Sequence, residues 1–145
     1  MIDQIESNDL SLTTAAKAFL KESAGWTKFI SIVGFVFLGL LVLIALFAGA
    51  FLGDMMGNSG MGSFGGAFVT VIYLLIAVLY FFPIYYLFQF SSKMKAALQT
   101  QNSELLEQAF SNLKSHYKFM GILLIIALAL YAIAFIFGGL AAMMM

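Results

Sequence analysis

Few residues in this sequence are equipped for chemistry. His116 is the only histidine, cysteine is absent, and all seven basic residues are lysine. Without cysteine there is no thiol, disulfide or zinc-thiolate chemistry to consider. Without arginine the planar, bidentate recognition of phosphate is missing, and no nucleic-acid partner is expected. A lone histidine beside Tyr117, with no carboxylate close in sequence, reads as a surface or interfacial residue rather than a base or ligand. Ser31 and Thr70 have no base near them, so neither reads as a nucleophile. Met55, Met56 and Met61 lie near Asp54, but thioethers alone make a weak metal site. No catalytic residue, cofactor or metal is therefore expected. Tyr73, Tyr80 and Tyr131 carry hydroxyls in apolar stretches and are expected to hydrogen-bond across helices.

The elements that must position these residues are hydrophobic. Of 145 residues, 63% are hydrophobic and 10% charged, against about half and a quarter in soluble domains. Such a chain cannot hide its apolar surface in a water-soluble core of this size. Phe29 to Phe51 contains no charge. Its many Leu, Ile, Val and Phe residues favour bilayer insertion by roughly 5 to 10 kcal/mol. Similar stretches cover 67–87 and 119–140, each about the 20 residues a crossing helix needs. None shows a clean one-sided apolar face, and the strict alternation of a membrane β-barrel is absent. Ala48-Gly49-Ala50 looks like a cleavage site, but the run before it is too long for a signal peptide. The fold class is all-α integral membrane, one membrane domain over 1–145 with three spans.

Charge gives an orientation. Lys17, Lys21 and Lys28 precede the first span, and Lys93, Lys95, Lys114 and Lys118 lie between the second and third. The Gly-rich stretch 53–66 and the tail carry none. Positive residues stay in the cytoplasm, which puts the amino terminus inside and the carboxyl terminus, Met145, in the periplasm of a bacterial inner membrane. Trp26, Lys28, Tyr85, Tyr86, Tyr117 and Lys118 then fall at the inner interface as anchors. Residues 88–118 read as a cytoplasmic helical hairpin. Leu87, Phe90, Met94, Ala97 and Leu98 recur at helical spacing, as do Leu106, Phe110, Leu113 and Tyr117. Between them Gln99 to Ser103 form a polar turn, with Asn102 or Ser103 able to cap the next helix. Residues 11–23 predict a separate amphipathic helix with Leu12, Ala16, Phe19 and Leu20 on one face. It lies either on the membrane interface or on the hairpin.

Small residues mark packing candidates. Ala45, Gly49 and Gly53 recur every fourth position in the first span, and Ala134, Gly138 and Ala142 in the third. Such stripes let helix backbones approach closely in lipid. We read them as packing spans one and three within one chain, with self-association as the alternative. Pro83 interrupts the second span and leaves the Leu79 carbonyl without its usual partner. We read it as a static kink rather than a hinge.

Three runs carry a resemblance: KAFLKESAGWTKFISIVGFVFLGLLVL, YFFPIYYLFQFSSKMKAAL and LLEQAFSNLKSHYKFMGILLIIALALYA. Over about residues 12–135 the chain resembles a family of small membrane proteins from Bacteroidetes, a domain of unknown function numbered 5362. FPIYYLF and NLKSHYKF are its most specific stretches. The resemblance implies a bacterial inner-membrane setting and brings no activity or catalytic residues.

Function is bounded mainly by absence. No Asp, Glu, Lys, Arg or His lies within the three spans, as ion- and proton-coupled transporters normally require, and an odd number of spans does not readily hold an inverted repeat. We expect a non-enzymatic structural or accessory protein acting through helix contacts, with membrane lipid and a larger complex as partners. The alternative is a homo-oligomeric pore; a lipid-sensing envelope protein ranks lower.

Overall fold

The computed structural model describes residues 11–55, 57 and 62–143. They form three long helices: α1 (Thr14–Met55), α2 (Gly62–Thr100) and α3 (Ser103–Met143). All three are long and apolar enough to cross a membrane. No strand occurs among the described residues. The predicted spans 29–51, 67–87 and 119–140 each lie inside one of these helices.

The leader is not a separate helix. Thr13 caps α1, its Oγ1 accepting the amide of Ala16 at 3.1 Å, and the helix then runs unbroken into the first apolar stretch. Gly25 costs about 1 kcal/mol of helix propensity relative to Ala, but the neighbouring Ala24 is completely buried. Leu20 and Ala24 sit against the hairpin, whereas Phe19 is 68% exposed. Of the leader's two readings, packing on the hairpin is the one this geometry carries. The Gly-rich stretch is also shorter than expected, since α1 extends to Met55 and α2 begins at Gly62. Met56 and Met61 lie outside the described residues, as does Met145.

The turn between α2 and α3 narrows to Gln101 and Asn102. Gln101 takes a left-handed backbone, φ 51°, and the Asn102 amide reaches back to the Ala97 carbonyl at 3.1 Å. This closes α2 in the manner of a Schellman motif. The Asn102 side chain then caps α3. Its Oδ1 accepts the amides of Glu104 at 2.9 Å and Leu105 at 3.1 Å. One residue thus serves both helix ends, and Ser103 is simply the first residue of α3.

α2 is the middle of the bundle. It pairs with α1 on one side and α3 on the other, and the α1 and α3 backbones do not meet among the described residues. The expected packing of spans one and three is therefore corrected to spans one and two.

Candidate functional site

The α1–α2 seam runs antiparallel over nearly the whole length of both helices. At one end the buried Ser91 hydroxyl donates to the Ala24 carbonyl at 2.8 Å. Further along, Lys28 Nζ lies 5.9 Å from the Phe88 ring centroid. Gly34 presses against Ile84, and Phe35 meets Phe81 at 5.7 Å. At the other end Thr70 Oγ1 lies 3.2 Å from the Ala45 carbonyl and 3.0 Å from that of Gly66, and its single proton is shared between them. The α1 members, Ala24, Lys28, Ser31, Phe35, Leu38, Val42, Ala45 and Gly49, alternate steps of four and three. That is a heptad seam. Residues 29–51 show no one-sided face because they are apolar on every side, whether they meet lipid or a helix. The signal lies in residue size. The positions fully buried on this helix are Ala24, Ser31, Ala45 and Gly49.

The closest approach falls at Gly49. A methyl group there would collide with Thr70 Oγ1 and stand 2.9 Å from the Gly66 carbonyl. Gly66 is equally constrained, its added Cβ falling on the Gly49 carbonyl and 2.9 Å from the Gly53 amide nitrogen. The first stripe, Ala45, Gly49 and Gly53, is thus a site of backbone contact with α2. The second stripe is not packed. Gly138 has nothing within 4 Å, Ala134 is exposed, and the Ala142 side chain lies outside the described residues. From Leu128 to Leu140 every residue of α3 is exposed. Lipid provides no hydrophobic drive for helix association.

Nearer the turn α3 does pack. Leu20 and Ala24 of α1, Phe90, Met94 and Leu98 of α2, and Leu106, Ala109 and Leu113 of α3 form one cluster, with Ala24, Met94 and Ala109 completely buried. Two residues assigned to this face by sequence lie off it: Phe110 is 43% and Tyr117 67% exposed. Ala109, completely buried, occupies the position beside Met94 and Phe90 instead.

His116 is half-buried, not a free surface residue. Its Nδ1 donates to the Pro83 carbonyl at 2.8 Å, joining α3 to α2. Pro83 itself is buried inside an uninterrupted α2, and the rings of Phe82 and Phe119 meet beside it at a tilt, 6.1 Å between centroids. The residues expected as interface anchors make mainly aromatic contacts. Trp26 is exposed, edge-on to Phe29 at 6.3 Å. Tyr85 stacks on Phe81 at 5.9 Å and accepts a hydrogen bond from Gln89 at 2.7 Å. Tyr86 lies beside Tyr85 at 6.3 Å, Tyr117 meets the His116 ring at 5.4 Å, and Lys118 is exposed. Tyr73, Tyr80 and Tyr131, by contrast, are exposed and make no hydrogen bond to another described residue. The hydroxyls of Thr70 and Ser91 take up the interhelical role expected of them.

The buried hydroxyls all donate to backbone carbonyls; that of Ser31 binds the Thr27 and Lys28 carbonyls at 2.9 Å. Among the described residues no three of His, Cys, Asp and Glu gather closely enough to hold a metal ion. Fold and site together define an all-helical protein with three candidate membrane-crossing helices, organised by helix contacts. The chain belongs to the Family of unknown function (DUF5362), whose model matches residues 64–139, more than half of its length. That match takes in α2 and most of α3, whereas the sequence resemblance reached back to about residue 12. No curated protein and no solved structure matches the chain.

Proposed function

We propose that this protein is a non-enzymatic structural or accessory subunit of the bacterial inner membrane. Its amino terminus and the α2–α3 turn lie in the cytoplasm, and its carboxyl terminus lies in the periplasm. The lysine distribution supports that orientation, because all seven fall toward the hairpin end of the helices and none lies between Gly53 and Gly66. The three-helix cluster is then a cytoplasmic layer, with the first turns of α1 as its amphipathic third member.

The observation that carries the reading is the outward face of α3 in this layer. Glu107, Phe110, Lys114 and Tyr117 follow one another at helical spacing and are exposed, while the core beside them is complete without them. An aromatic pair between charges suits a protein partner, since aromatic residues dominate interface energetics. Phe110→Ser tests the reading without touching the core. Helicity and membrane insertion should stay unchanged while co-purifying proteins are lost. An unchanged set of co-purifying proteins would reject the partner face.

A further inference from the structure

We propose that the α1–α2 seam carries a site for one anionic phospholipid, with the headgroup phosphate on Lys28 and an acyl chain in the groove beside Gly39. The groove is an apolar cavity of about 370 Å³, lined by Phe35, Gly39 and Val42 of α1 and Ala77, Phe81 and Phe82 of α2. Its origin is local. Gly34, one turn and a residue earlier, is packed against Ile84, but Gly39 has nothing within 4 Å. The missing side chain leaves a notch in the wall of α1 that the protein does not fill. Apolar atoms lining such a gap lose their dispersion contacts unless something occupies it. The groove opens sideways past Val78, which is exposed, so lipid reaches it directly.

The charged end is continuous with the groove. Lys28, Phe35 and Val42 are seven residues apart and share one face of α1. Lys28 Nζ lies 5.9 Å from the Phe88 ring, Phe88 lies edge-on to Phe35 at 6.0 Å, and Phe35 lines the groove. No acidic residue occurs on α2, and the nearest on α1 in sequence is Glu22, roughly 9 Å away along the axis. The ammonium therefore sits against an aromatic surface with no carboxylate on either seam helix close to it. Lys28 and Gly39 are separated by roughly 16 Å of helix, about half of a hydrocarbon core roughly 30 Å thick. A phosphate at Lys28 thus delivers its acyl chain to the notch near mid-bilayer. A free phosphate shares the headgroup chemistry but leaves the groove empty, and that difference separates the two sources. The inference rests on α1 and α2 crossing the membrane and is independent of any partner at Phe110.

The test is native mass spectrometry of the full chain in mild detergent, titrated with phosphatidylglycerol, phosphatidylcholine or inorganic phosphate. Phosphatidylglycerol should be retained about fivefold better than phosphatidylcholine, the worth of one lysine near an anionic surface at about 1 kcal/mol. Lys28→Gln should abolish that preference, Lys28→Arg should restore it, and Lys95→Gln should leave it intact. Gly39→Phe, whose side chain would enter the notch, should weaken retention of both lipids. Equal retention of the two lipids, or an unaltered preference in Lys28→Gln, would overturn the site. Displacement of phosphatidylglycerol by millimolar inorganic phosphate would overturn the lipid assignment in favour of a soluble anion. Loss of partner proteins with lipid retention intact would leave the site standing.

Discussion

Gly49→Ala changes one hydrogen to a methyl group, and the geometry sets a definite cost. The new Cβ would overlap Thr70 Oγ1 and crowd the Gly66 carbonyl at 2.9 Å. The Thr70 side chain can rotate away, but only by giving up its hydrogen bond to the Ala45 carbonyl. The Gly66 carbonyl belongs to the backbone and cannot rotate, so the helices must part. Overpacking of this kind costs about 1 to 3 kcal/mol, and a lost interhelical hydrogen bond adds about 0.6 to 1.7. Replacing Gly by Ala in a helix returns about 1 kcal/mol. The net is a destabilisation of about 1 to 4 kcal/mol. Gly138→Ala provides the comparison, because a methyl group there meets nothing within 4 Å. It should be neutral or stabilising by up to about 1 kcal/mol. Reversible unfolding in mixed micelles, titrated with dodecyl sulfate and followed by circular dichroism, measures both. A Gly49→Ala protein no less stable than Gly138→Ala would refute the close-approach argument.

The same titration tests three other contacts. Met94 is completely buried among Ala24, Phe90 and Ala109, so Met94→Ala should cost about 2 to 5 kcal/mol. His116→Ala removes the bond from α3 to the Pro83 carbonyl and should cost about 1 kcal/mol, with faster amide exchange in α3 than in α1. Gln101→Gly should stabilise the hairpin by up to about 1 kcal/mol, because the left-handed backbone at this position suits glycine; a loss of stability would count against the turn geometry.

That the chain forms three long apolar helices is legible because long uncharged runs and a polar break leave little choice. Pairing was less so. Ala45, Gly49 and Gly53 announce a close approach, but spacing on one helix does not name the helix opposite. The same spacing at Ala134 and Gly138 meets nothing in the monomer. The pairing of α1 with α2 could have been sought in Thr70 and Ser91, hydroxyls placed to bond across to Ala45 and Ala24. The partner of His116 was hidden, because a backbone carbonyl beside a proline leaves no mark on side-chain periodicity. Spacing alone places Phe110 and Tyr117 on the core face. Leu106 and Leu113 keep that face, but the buried position beside Met94 is taken by Ala109, and the two aromatics fall outside it. Hydrophobic pattern identifies which residues avoid water, whereas residue size decides which of them meet another helix.

The most direct test of an accessory role is the mass of the protein extracted in gentle detergent at its native expression level. Light scattering gives the mass, and mass spectrometry identifies the chains that elute with it. A mixed complex containing other chains, lost in Phe110→Ser, is the predicted result. A ring of several copies of this chain alone would contradict it and favour a pore, and a lone monomer would contradict it as well.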